Sequence, residues 1–259
     1  MTVQKKEEGT PLSRVVPATV PREAVIESLI RAVNDHSKPA DTRISAMDTL
    51  RKFDSERVTD VFIALAKDGN PEIRTEAIAL LSDRKGPQAL DRLYERLKND
   101  PDEKCRWHAS LSLKDQAITT SKTDSARIVR ELAHAAITDP AARNREFAVT
   151  FLNNIANDRD ASMTTRQLIA GYLTSIAISG DLPSIRIEAI EGLGDIGRPS
   201  YPKRLSAAYA ILVSTVVTPG LLAASLSRDK DVADAAKAAR EHVLEWEKTM
   251  QLRKSSGKP

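Results

Sequence analysis

Apolar residues recur along the 259-residue chain at helical spacing, in short stretches separated by polar turns. Five of the stretches share one pattern, an arginine with Ala at +3 and Leu at +7: Arg43/Ala46/Leu50, Arg74/Ala77/Leu81, Arg106/Ala109/Leu113, Arg145/Ala148/Leu152 and Arg186/Ala189/Leu193. The arginines lie 31, 32, 39 and 41 residues apart, so the chain is built of repeats. Positions 0, +3 and +7 share one face of a helix, and the alanine marks where a neighbour must come close. Pro39, Pro71, Pro101, Pro140 and Pro183 precede the arginines, near the first helical turn, where a missing N–H costs nothing. Asp68, Asp100 and Asp139 stand six residues before three of the arginines, and Ser37 and Gly180 take that place in the first and fifth copies.

Another apolar-periodic stretch precedes each of these helices, at 24–33, 58–66, 89–97, 128–137 and 168–178. Turns such as Lys67-Asp68-Gly69-Asn70 and Lys98-Asn99-Asp100 join the two halves. A sixth, divergent pair is expected over 203–217 and 231–249, where Val232, Ala233 and Ala236 replace the arginine pattern. The predicted fold class is therefore all-α, an α-solenoid of about six antiparallel helix pairs. The solenoid is expected over residues 20–249. A polar, disordered tail is expected at 1–19 and a frayed basic tail at 250–259.

The Asp-Pro turns, together with Ile73-Arg74, Cys105-Arg106 and Ile185-Arg186 followed by Ala and Leu, resemble the HEAT-repeat family. The likeness is to its short-repeat, phycobilisome-lyase-like type and covers roughly residues 22–247. It implies HEAT-like repeats whose second helices line a concave surface, with Asp and Arg bonded in a ladder between neighbouring repeats. It also leaves open a bilin-lyase-like or DNA-glycosylase-like enzyme or enzyme subunit, because one scaffold serves many functions.

Charge placement narrows the function. There are 39 Lys and Arg against 36 Asp and Glu, a net charge of +3, too small for a dedicated nucleic-acid footprint. With −1, +3 and +7 in the core, positions +1, +2 and +5 of the second helices face away from it. Those positions carry Asp48, Glu76, Glu146, Glu188 and Glu191 but no Lys or Arg. Apolar and aromatic residues are interspersed, notably Trp107, His108 and Phe147. The candidate protein-binding residues are accordingly Glu76, Trp107, His108, Glu146, Phe147, Glu188 and Glu191. The expected partner is another protein with a basic or amphipathic segment, held by a non-enzymatic scaffold or adaptor, and nucleic acid is disfavoured.

Candidate chemistry is thin. Cys105 and His108 are three apart on one helix, but Cys105 takes the place of Ile73 and Ile185 and reads as a small buried hydrophobe. Gly192-Leu193-Gly194-Asp195-Ile196-Gly197 echoes a dinucleotide fingerprint without a preceding strand, so it reads as a helix end. No catalytic residue, metal or cofactor is expected. One cysteine and no secretory signal suggest the cytoplasm. Segment 205–227 is uncharged and long enough to span a bilayer, but a turn predicted at Thr218-Pro219-Gly220 divides it into two short apolar helices. A buried element of the last pair is therefore expected there, rather than a membrane span or a membrane-associated assembly surface.

Overall fold

The computed structural model describes residues 21–197 and 207–255, and all regular structure among them is helical. The tail expected at 1–19 and the last four residues lie outside that range. The chain divides into two compact units, at Phe53 and Asp54, where the sequence suggested one continuous array.

The first unit is the pair α1 (Arg22–Asn34) and α2 (Ala40–Leu50). Ile26, Val33, Met47 and Leu50 are buried, and Arg43 Nε donates to the Val33 carbonyl at 2.7 Å. The arginine thereby satisfies a carbonyl that the end of α1 leaves without an intrahelical partner.

The second unit holds four arginine-bearing repeats. They are α3 (Glu56–Leu65) with α4 (Pro71–Leu80), α5 (Pro87–Asn99) with α6 (Glu103–Gln116), α7 (Lys122–Thr138) with α8 (Ala142–Asn157), and α9 (Met163–Ser179) with α10 (Pro183–Gly197). Helix starts are set locally. Ser55, Asn70, Asp102, Ser121 and Ser162 accept backbone N–H bonds at the N-termini of α3, α4, α6, α7 and α9, and Pro71 opens α4. The second helices α4, α6, α8 and α10 pack side by side throughout, whereas among the first helices α3, α5 and α7 touch one another sparsely and only α7 and α9 pack closely. The second helices thus form the tighter, inner layer of this unit. Alanines at +3 (Ala77, Ala109, Ala148, Ala189) and leucines at +7 are buried throughout it, as the repeat pattern predicts.

The last pair departs from expectation in two places. No turn occurs at Thr218-Pro219-Gly220. Instead α11 (Ala207–Leu212) continues through a π turn (Val213–Val217) into α12 (Thr218–Ala224). The wider i→i+5 turn just before Pro219 accommodates a residue that cannot donate to the usual acceptor. Tyr209, Leu212, Val213, Val217, Leu221 and Ala224 are buried along one face, and Ile211, Ser214, Thr215 and Leu222 are exposed on the other. The stretch is amphipathic, and no helix among the described residues is long and apolar enough to cross a membrane. The second departure is α13 (Lys230–Ser255), which carries the final helix six residues past the expected boundary at 249.

The glycine run 192–197 makes up the last six residues of α10, the helix-end placement that the sequence suggests. A Cβ on Gly192 would sit 1.9 Å from Asn153 Oδ1 on α8, and one on Gly197 would sit 2.5 Å from Val243 on α13. These glycines let α10 approach its neighbours on both sides.

Candidate functional site

The arginines at position 0 form a ladder along one edge of the second unit. Arg74 donates through Nε and Nη2 to both oxygens of Asp100, each at 3.0 Å, and through Nη1 to the Asp68 and Gly69 carbonyls. Arg106 repeats the arrangement one step on, with Asp139 at 2.9 and 3.0 Å and the Asp100 and Pro101 carbonyls. Arg145 reaches Asp181 at 3.1 Å and the Asp139 carbonyl at 2.7 Å. Each guanidinium therefore ties the turn of its own repeat to the carboxylate of the next. The fifth copy has Gly180 six residues before its arginine, but the adjacent Asp181 supplies the missing carboxylate. Arg186 ends the series on Ser227 Oγ and the Ala177 carbonyl.

Burial alone would push the Asp100 and Asp139 carboxyls upward. The bonds from Arg74 and Arg106, with backbone N–H donors at Asp102 and Ala141, win and hold both below the ordinary aspartate range. These groups are committed to the fold.

Two residues before Arg106 and Arg145, on the same helices, the side chains have a different setting. Lys104 and Arg143 are exposed beside Trp107 and Phe147. The Trp107 ring meets Phe147 edge-on at 5.7 Å and His108 at 4.7 Å. Phe147 in turn stacks on Phe151 at 6.1 Å, and the Arg143 guanidinium lies 5.5 Å from the Phe147 centroid. Glu103, Lys104, Trp107, Arg143, Asn144 and Phe147 line a hollow of about 270 Å³ between α6 and α8. Trp107 Nε1 is buried and has no acceptor among the described residues. Burial, with Lys104 nearby, pushes the His108 imidazole below its ordinary value, so it is neutral at pH 7.

Of the residues singled out from sequence, Trp107, His108 and Phe147 thus come together. Glu146 and Glu188 do not stand free. Glu146 accepts from Ser184 Oγ at 2.7 Å, and Glu188 accepts from Thr150 Oγ1 at 2.9 Å and from Asn153 Nδ2. Both are half-buried and tie α8 to α10. Glu191 is exposed on α10, and Glu76 is half-buried on α4. Sequence reasoning missed Lys104, Arg143, Glu103 and Asn144. The signal was available, because position −2 lies one helical turn before +1 and +2 and shares their face. The inner face therefore carries cations as well as acids.

Cys105 takes the core place expected of it. Its sulfur lies 3.2 Å from Thr75 Oγ1 and 3.4 Å from the Pro71 carbonyl, and burial pushes the thiol up, away from the reactive thiolate. Trp246 on α13 meets Tyr209 edge-on at 6.4 Å, in the last pair.

An all-α unit of stacked helix pairs, tied by an arginine ladder and bearing side chains on its inner layer, defines a helical-repeat protein. Comparison with known proteins gives the kind. The family model for HEAT repeats matches residues 26–114, which span α1 to α6. Those helix pairs are similar to HEAT repeats, and the fold is of the armadillo/HEAT type. Solved structures agree at the level of fold. The crystal structure of Cex1p is 17% identical, with a TM-score of 0.63, and the match covers 89% of this chain and 44% of that one. A designed armadillo repeat protein, YIII(Dq.V1)4CPAF in complex with peptide (KR)4, is 16% identical with a TM-score of 0.50, covering 84% of this chain and 99% of the other. No curated protein matches the sequence.

Proposed function

We propose that this protein is a non-enzymatic scaffold or adaptor that holds a segment of a partner protein along the inner layer of its second unit, and that it works in the cytoplasm. The observation that carries the reading is the Trp107/Phe147 hollow. It is an aromatic-lined recess on the inner helices, with a buried Nε1 donor lacking an acceptor among the described residues and charged side chains at its rim. Large rings in a partly desolvated recess dominate binding energy at protein interfaces. The exposed acid Glu191 suits a basic residue in the bound segment. The designed armadillo protein bound to (KR)4 is a precedent at the level of fold for a helical-repeat surface taking a basic peptide.

Affinity capture from an extract of the source cells tests the reading, run in parallel with wild type, Trp107→Ala and Glu191→Lys. Glu191 is preferable to Glu146 and Glu188 for charge reversal, because it is exposed while the other two bridge α8 and α10. Trp107→Ala should cost about 2 kcal/mol of binding. Partners retained in full by both variants would overturn the proposal.

A further inference from the structure

Within that reading, we propose that the hollow between α6 and α8 is built for a bulky apolar side chain adjoined in the partner by an Asp or Glu residue, with basic residues following toward α10. Three observations carry the carboxylate. Lys104 and Arg143 stand at the rim, and neither forms an ion pair among the described residues. Arg143 is held only by the face of Phe147. Trp107 Nε1 is a third donor, buried and without an acceptor among the described residues. Glu103 is the one acid lining the hollow, so cations outnumber it by two to one. An apolar side chain covering Trp107 and Phe147 would strip water from these donors and strengthen each against an anion.

The basic end follows from the direction of the layer. Neighbouring helices lie roughly 8–10 Å apart, so exposed Glu191 on α10 is about one and a half helix spacings from the hollow. An extended chain advances about 3.3 Å per residue, which places the complementary Lys or Arg about three to five residues beyond the apolar one. The recognised segment therefore has two unlike ends, the acid with the apolar residue at one and the base at the other, which a uniformly basic peptide lacks.

The test is selection of random twelve-residue peptides, displayed with constant flanks on both sides, against the full chain. An enriched peptide is then titrated against wild type and each variant by the anisotropy of a fluorescent label on the peptide, a readout that does not depend on Trp107. The expected consensus has Asp or Glu beside Leu, Ile, Phe or Met, and Lys or Arg three to five residues away in one fixed direction. Lys104→Glu combined with Arg143→Glu should weaken the enriched peptide about tenfold and favour its acid-to-lysine variant, with far-UV circular dichroism unchanged. Enriched peptides without the acid, or with affinity indifferent to Lys104 and Arg143 but lost in Trp107→Ala, would overturn this inference and leave the inner-face reading standing. No enrichment, or peptides that bind Trp107→Ala and Glu191→Lys as tightly as wild type, would overturn both.

Discussion

Arg106 and Lys104 are two residues apart on α6, and so are Arg145 and Arg143 on α8, yet the members of each pair meet opposite fates. At position 0 the guanidinium turns into the seam between repeats, and its donors go to a carboxylate and to turn carbonyls. At position −2 the cation stays on the inner face beside an aromatic hollow. A helix advances 100° per residue, so two positions turn a side chain to a different surface. Charge in this protein therefore has to be read by repeat position. The ladder is the part that holds, and the hollow is the part left over for something else.

The sharpest way to break the comparison is Arg106→Ala. Asp139 is only 6% exposed, so the substitution leaves a buried carboxylate without its main partner. It should cost about 3–5 kcal/mol, measured by urea unfolding, and an unchanged midpoint would remove the ladder from the account. Next in size is Gly192→Ala, whose new methyl collides with Asn153 on α8. A loss of about 1–3 kcal/mol is expected, and adding Asn153→Ala should recover part of it if the collision is the cause.

The ladder also has a pH signature. Asp100 and Asp139 are held below the ordinary aspartate value of 3.8 in the folded state. Their contribution to stability is fully present above that value and is lost as pH falls through the lowered folded values. Unfolding midpoints should therefore hold steady down to about pH 5 and then drop, and Asp139→Asn should flatten the drop. The smallest effect belongs to the other region. Arg143→Ala and Lys104→Ala should each change stability by no more than about 0.5 kcal/mol in the same unfolding assay. Values near those of Arg106→Ala would erase the distinction.

The repeat was legible in the sequence because its signals are local. The Arg/Ala/Leu spacing, the prolines and the polar turns each act within one helix and its turn, and they placed ten helices, whereas the ladder between repeats was implied by the likeness to HEAT repeats. The last pair was less legible. Thr218-Pro219-Gly220 reads as a turn by composition, but buried contacts of Val217, Gly220 and Leu221 keep the helix going, and a π turn absorbs the proline. The close packing at the glycines of α10 was not legible, because what they accommodate, Asn153 and Val243, lies on other helices. The candidate site was half legible. Trp107, His108 and Phe147 stood out by residue type and helix face. Glu146 and Glu188 looked equally free, and only their partners on neighbouring repeats, Ser184, Thr150 and Asn153, reveal them as bridges between helices.

The central claim is that the ladder folds the protein and the hollow binds for it. It is tested most directly by measuring unfolding midpoint and peptide affinity on the same preparations of wild type, Arg106→Ala and the double variant Lys104→Ala/Arg143→Ala. The account predicts a large fall in stability for Arg106→Ala, and for the double variant an unchanged midpoint with affinity about five- to tenfold weaker. Wild-type affinity in the double variant, or a fall in its midpoint comparable to that of Arg106→Ala, would contradict it.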